Sequence, residues 1–174
     1  MRMQPEKGTK TNDVVYTPRP LAKRIIEHFK PNGRVLDPAR GDGAFYDQIE
    51  GEKDWCEINM GRDFFSYKAK ADCIITNPPW SLFRQYLIHS MELANDIYFL
   101  ITINHVWTKA RLREVREKGF GIKEIFLIDS PSNFPQSGFQ VGVVHFKRGW
   151  KGDIRITEDE VCVQETFDFY GNKR

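Results

Sequence analysis

The run Asp72-Cys73-Ile74-Ile75-Thr76-Asn77-Pro78-Pro79-Trp80 decides the fold class of this chain. A β-branched, apolar segment stops at two prolines, which supply no backbone donor and restrict the residue before them. This is the pattern of a buried strand that ends abruptly on a stiff segment. It presents an amide, Asn77, and an exposed aromatic ring, Trp80, at the carboxyl end of a strand, the edge where open α/β sheets bind ligands. The plain alternative is a strand-to-loop break with the tryptophan in the core.

The chemistry that fits Asn77, Pro78, Pro79 and Trp80 is methyl transfer to a planar exocyclic amine. Such a nitrogen is a poor nucleophile because its lone pair is delocalised into the ring. A site that accepts hydrogen bonds from both N–H groups draws it toward a tetrahedral shape. The Asn77 side-chain oxygen and the Pro78 carbonyl are candidate acceptors. Trp80 can stack on the flat face, a contact worth roughly 1–3 kcal/mol per base. Asn77-Pro78-Pro79-Trp80 resembles motif IV of the S-adenosylmethionine-dependent amino-methyltransferases, particularly the N6-adenine DNA methyltransferases and among them small phage or mobile-element enzymes. The resemblance implies S-adenosylmethionine as cofactor, nucleic acid, DNA first, as partner, and these four residues as the catalytic floor, with Asn77 also in contact with the cofactor.

The chain has 174 residues, room for one domain with a full core. Its 40% apolar and 29% charged residues are those of an ordinary globular protein, and a formal charge of +2 neither argues for nucleic acid nor repels it. No stretch approaches the roughly 18 apolar residues that span a bilayer, and no signal-peptide pattern opens the chain, so a cytoplasmic protein is expected. Cys56, Cys73 and Cys162 are odd in number and far apart, which predicts buried thiols rather than disulfides or a metal site.

Residues 1–12 are polar and aperiodic, the pattern of a flexible arm, and a single domain is expected over 13–174. Thr17-Pro18 is a helix-start signal, with Pro20 in the first turn and Leu21, Ala22, Ile25, Ile26 and Phe29 at helical spacing before Pro31-Asn32-Gly33 stops the helix. Val14-Val15-Tyr16-Thr17-Pro18 resembles motif X of the same methyltransferases, which implies that Tyr16, Thr17 and Pro18 close over the methionine end of the cofactor. A helix that merely covers the sheet explains the pattern equally well. Arg34 to Phe45 reads as a strand, a glycine turn and the opening of a helix, with Gly41 and Gly43 letting backbone approach a ligand. Tyr46 stands where a dinucleotide fingerprint wants a small residue, which argues against a nicotinamide enzyme. Asp37-Pro38, Gly41, Gly43 and Phe45 instead resemble motif I, implying contact with the methionine part of the cofactor. Arg40 replaces a residue that is small in many relatives and is expected to point outward.

Glu57 lies twenty residues beyond Asp37, after a second short strand at Trp55-Cys56, where an acidic side chain is placed to hold ribose hydroxyls. Asp63-Phe64 resembles the family's adenine pocket, the aspartate accepting from the adenine amine and the ring packing on its face. Phe64 and Phe65 can equally be core. Ser81 is a candidate N-cap, followed by the apolar helical face of Leu82, Phe83, Tyr86, Leu87, Met91 and Leu93. Asp96 to Val106 predicts a central strand, with His105 and Trp107 at its carboxyl end. Lys109 to Lys118 predicts a basic helix, either a solvated face or a grip on phosphates. Strands are expected over Ile122–Asp129 and Phe139–Phe146, with the loop between them carrying Phe134 either toward a target base or onto the domain. Asp153–Thr157 reads as an edge strand, and the acidic, aromatic tail carries no assignment.

These features predict an α/β Rossmann-like class I methyltransferase fold, a mostly parallel seven-stranded sheet with helices on both faces and, by the resemblance, an antiparallel last strand. No separate target-recognition domain is apparent, so target recognition falls to loops or a partner subunit. An RNA base or a protein glutamine is also a planar amine, and a non-catalytic module of the same fold is the third possibility. Exchange of Asn77 for alanine is expected to abolish methylation and spare cofactor affinity.

Overall fold

Strand burial alternates in the way a two-sided sheet requires. A computed structural model describes residues 15–159. The expectations for the arm over residues 1–12, Val14, Cys162 and the tail lie outside them. Along β4 (Asp96–Thr102), Ile97, Phe99 and Ile101 join one apolar cluster while Tyr98 and Leu100 join the other. β3 (Cys73–Thr76) divides likewise, Ile74 to one face and Cys73 and Ile75 to the opposite one. A strand buried on both sides needs helices over both sides. α1 (Arg19–Phe29) covers one face through Leu21, Ala22 and Ile25. α2 (Phe83–Leu93) and α3 (Lys109–Glu117) cover the other through Phe83, Tyr86, Leu87, Met91 and Val115.

The described residues form a seven-stranded sheet, in the order β2-β1-β3-β4-β6-β5-β7. Its other members are β1 (Val35–Asp37), β2 (Lys53–Trp55), β5 (Phe120–Ile128), β6 (Val141–Arg148) and β7 (Arg155–Glu158). β2, β1, β3 and β4 pair in parallel. β6 runs against both β4 and β5, and β7 runs parallel to β5. The antiparallel strand is therefore the sixth, not the last as expected. The cause is the absence of a crossover helix. Residues 129–140 and 149–154 are loops without a helix, whereas a parallel return is usually made through one. β5 and β6 thus form a hairpin, and β7 steps across to the free edge of β5.

Several boundaries differ from expectation. Pro18 rather than Thr17 precedes α1, with no side-chain cap, and Lys30 ends it in the left-handed region at φ 48°. The glycine loop leads into a single 3-10 turn, Tyr46–Gln48, not a helix, because Gln48 and Lys53 side chains take up carbonyls of that segment. α2 follows a 3-10 turn over Trp80–Leu82, so Ser81 lies inside that turn and Leu82 is the cap. β4 stops at Thr102, where Ile103–His105 turns. β6 starts at Val141, leaving Phe139 outside the sheet. The basic helix forms as expected, capped by Thr108, whose hydroxyl accepts from the Arg111 amide. Cys56 and Cys73 are buried free thiols, with burial pushing them up to about 11 and about 12.

Candidate active site

β1 and β3 lie side by side and parallel, with Leu36 opposite Ile74, so the loops that leave them emerge on one edge of the sheet. There Thr76 Oγ1 donates to Asp37 Oδ1 at 2.7 Å, both residues being buried. The Ala39 amide donates to the same oxygen at 3.4 Å. Asp37 Oδ2 is buried and has no hydrogen-bond partner among the described residues. Desolvation pushes the Asp37 carboxyl up to about 7, against the opposing bonds from Thr76 and Ala39. A buried carboxylate with one bare oxygen suits a cationic ligand.

The loop after Asp37 holds Gly41 at φ 55° and Gly43 at φ 91°, a region that favours glycine. A Cβ on Gly41 would stand 3.1 Å from the Tyr16 ring, and one on Gly43 would stand 2.7 Å from the Asp47 carboxylate. Tyr16 thus lies against the glycine loop. Glu57, just past β2, closes the same loop from the other side. Its Oε2 accepts from the Gly41 amide at 2.9 Å and its Oε1 from the Asn59 amide at 3.1 Å. Arg40 does not point outward as expected. It is folded onto the loop, with its guanidinium 5.0 Å from the centroids of both Tyr46 and Trp55 and 3.3 Å from Asp47. Cation–π contact with two rings outweighs full solvation there.

Asn77 leaves β3 at the same edge, and its Nδ2 donates to the Val15 carbonyl at 3.1 Å. A carbonyl only accepts, so this contact settles which end of the amide is nitrogen. Asn133 Nδ2 donates to the Tyr16 carbonyl at 2.8 Å, so the Val15-Tyr16 segment is strapped between two asparagine amides. Thr17 is buried behind it and Pro18 leads into α1. Pro38 and Pro78 are buried, and Pro79 is half-buried.

Trp80 is half-buried rather than fully exposed. Its Nε1 donates to the Leu100 carbonyl at 3.3 Å, and its ring meets Phe134 edge-on at 5.9 Å. A buried indole N–H needs such a partner, and satisfying it tips the ring inward. Phe134 is 3% exposed, so packing on the domain, the second of its two expected roles, is what it does. Phe45 and Phe64 are also core, at 3% and 2% exposure, and not open ligand surfaces as motif I and the adenine pocket implied. Phe64 lies under α2 against Tyr86 and His89. Asp63 is at the surface, but its carboxylate is occupied by the Phe65 amide at 3.0 Å and the Ser66 hydroxyl at 3.1 Å. His105 lies 6.5 Å from Trp80, and its pKa is lowered by burial and then by Arg111, which keeps it neutral at pH 7.

The structure therefore brings Tyr16, Asp37, Gly41, Glu57 and Asn77 to one sheet edge, with Trp80 and Phe134 beside them. It does not bring Phe45 or Phe64 there as open surfaces. Thr76 and Asn133 are positioning residues missed in the sequence. A lone hydroxyl at the end of an otherwise apolar strand was the available signal for Thr76, and nothing in the pattern marked Asn133. Among the described residues no group of three or more His, Cys, Asp or Glu side chains is arranged to hold a metal, and no helix is long and apolar enough to cross a membrane.

Neither a protein-family model nor a curated protein matches the chain. Solved structures do match. A type I restriction-modification methyltransferase subunit from Streptococcus thermophilus superposes with a TM-score of 0.60 at 12% identity, over 90% of this chain and 53% of that one. A candidate RNA methyltransferase from Pyrococcus horikoshii gives 0.63 at 15% identity, over 87% and 94%. A candidate class I S-adenosylmethionine-dependent methyltransferase from Listeria monocytogenes gives 0.61 at 10% identity, over 93% and 72%. The fold is thus that of the class I methyltransferases. The chain spans about half the length of the restriction-modification subunit.

Proposed function

We propose that this protein is an S-adenosylmethionine-dependent methyltransferase that modifies the exocyclic N6 amine of adenine in DNA. The observation that carries the reading is the orientation of Asn77. Its nitrogen is committed to Val15, which leaves its oxygen as the accepting end at the edge where Glu57 and the glycine loop meet. Structural neighbours named as restriction-modification methyltransferase subunits support DNA as the substrate. Target recognition by loops or by a partner subunit belongs to the same reading.

The residues present fit the cofactor. Asp37 offers a buried, unpaired carboxylate oxygen to a cationic group, Glu57 offers acceptors to hydroxyls, and the two glycines leave room for close backbone approach. Tyr16 lies against the same loop, with Thr17 and Pro18 next to it in the chain, and the Asp63 carboxylate already accepts from Phe65 and Ser66. When bound, the cofactor supplies an electrophilic methyl group on a sulfonium. Asn77 Oδ1 and the Pro78 carbonyl would accept hydrogen bonds from the two amine N–H groups and point the nitrogen lone pair out of the ring plane. The buried Pro78 and the half-buried Pro79 keep these acceptors rigid, and orientation of this kind supplies much of the acceleration. Trp80 offers its remaining exposed face to the base. No general base is required, because the amine proton can depart to water after transfer. A base in a duplex must be flipped out, at a cost of a few kcal/mol.

Radiolabelled methyl transfer to DNA, RNA and protein, followed by mass spectrometry for N6-methyladenine, tests this reading. Label in N6-methyladenine of DNA, lost in Asn77→Ala, is the expected result. Label in an RNA base or a glutamine amide would reassign the substrate, and no label anywhere would leave a binding module.

A further inference from the structure

Of the large aromatic rings exposed among the described residues, Tyr16 lies against the glycine loop and Phe65 against α2, while two others have no such place. Trp107 is 49% exposed and Phe139 is 56% exposed, although residues of this kind are usually well buried. Each belongs to a segment that also walls the Asn77-Trp80 floor. Trp107 stands two residues beyond His105, the ring beside Trp80. Phe139 closes the loop that presses Phe134 against Trp80. The two segments are joined directly, since the Ile103 amide donates to the Gln140 carbonyl at 2.9 Å. The two segments that carry the rings therefore meet at the carboxyl end of β4.

Cations follow Trp107 in the chain. Trp107 runs into Thr108 and α3, whose exposed face carries Lys109, Arg113 and Arg116. Arg113 pairs with Glu117, while Lys109 and Arg116 make no ion pair among the described residues. Exposed aromatic rings beside mobile cations form a stacking platform for bases with a grip on the phosphates between them. A purely apolar partner would gain nothing from the lysine and arginines.

We infer that Trp107 and Phe139 stack on the nucleotides that adjoin the target base in DNA, with the cations of α3 holding the phosphates of the same strand. The inference rests on the function proposed above and adds two residues that position the substrate. Stacking on neighbours holds the strand while the target base leaves its place, and it does so without a sequence code, because every base offers a flat face.

The test uses the full chain and labelled mixed-sequence DNA oligonucleotides, single-stranded and duplex, read by fluorescence anisotropy. Trp107→Ala and Phe139→Ala are each expected to weaken binding about tenfold, while Trp107→Phe, which keeps a ring, stays within about twofold of wild type. DNA should quench tryptophan fluorescence in the wild type, and Trp107→Phe should reduce that quench while Trp80 keeps its share. Calorimetry with S-adenosylhomocysteine separates the two levels of the reading. If no variant and not the wild type binds it, the proposed function falls and this inference with it. If all bind it and the alanine variants hold DNA as tightly as the wild type, the inference alone is overturned. Tighter, ring-dependent binding of RNA oligonucleotides would overturn the DNA assignment. A change in sedimentation on removing either ring would mean that a second copy covers them, and would overturn the inference too.

Discussion

Asn77 Nδ2 donates to the backbone carbonyl of Val15 at 3.1 Å, across a sequence separation of 62 residues. One side chain thereby does two things. Its nitrogen fixes the segment that carries Tyr16, and its oxygen is left to accept. The bond modifies the expectation that exchanging Asn77 leaves cofactor affinity largely intact. Its loss is worth about 1 kcal/mol, so Asn77→Ala should abolish methyl transfer and also weaken cofactor binding roughly fivefold. Asn77→Asp should weaken it further, since a carboxylate would face the Val15 carbonyl. Calorimetry beside a methyl-transfer assay checks both, and unchanged cofactor affinity in the two variants would show that the strap holds without Asn77.

Asp37 gives a pH signature. Its folded pKa, about 7, lies above the ordinary carboxyl value of 3.8, so the folded state holds the proton more tightly than the unfolded state. Its contribution to stability is full below pH 3.8 and declines as pH rises, levelling off once the folded value is passed. Asp37→Asn removes this slope. The difference in melting behaviour between wild type and variant should therefore grow between about pH 4 and 7, reaching a few kcal/mol at most, since each tenfold gain in proton affinity is worth about 1.4 kcal/mol. Thermal melts over that range would expose a parallel pair of curves if Asp37 were ionised throughout.

The glycine loop is the tightest part of the site. Gly41→Ala adds a methyl 3.1 Å from the Tyr16 ring at a φ of 55°. Left-handed backbone alone costs an L-residue about 1–2 kcal/mol. Cofactor affinity should fall at least tenfold, with a smaller loss of stability because the loop can relax. Gly43→Ala should be worse, since its methyl meets the Asp47 carboxylate that Arg19 and Arg40 hold. Urea midpoints read beside calorimetry would rank the two, and the opposite order would mean that the Asp47 cluster yields easily.

Glu57 is engaged by the Gly41 and Asn59 amides. Glu57→Gln keeps one acceptor for one of those amides and removes the charge. Its melting temperature should stay within a few degrees of wild type while cofactor binding weakens about tenfold or more. Equal binding by both proteins would place the ribose elsewhere.

Away from the site, Asp96 accepts from the buried His145 at 2.6 Å and from Lys147 at 2.9 Å. Burial alone would raise the Asp96 pKa, but these two partners more than offset it and hold it below the ordinary range. The stability it contributes is present above about pH 4 and is lost as pH falls through the folded value. Asp96→Ala should cost about 2 kcal/mol at pH 7, because the buried His145 side chain is left without its hydrogen-bond partner. Chemical denaturation at pH 7 and pH 3 checks this, the gap between wild type and variant closing at the lower pH.

What the sequence determined by itself was local. Proline pairs, glycine turns and apolar alternation are set within a few residues, so they placed the strand before Asn77, the loop at Gly41 and Gly43, and Glu57 past a second strand. Strands of that kind at parallel pitch bring all three to one sheet edge. Tertiary packing decided what no local pattern contains. It buried Phe64 and Phe134, because an aromatic ring settles wherever a facing surface removes most of its area from water. It turned β6 antiparallel between β4 and β5, because the loop before it forms no helix to carry the chain back across the sheet. It also joined Thr76 to Asp37 and Asn77 to Val15, bonds across 39 and 62 residues that exist only once β1, β3 and the start of α1 have been packed together.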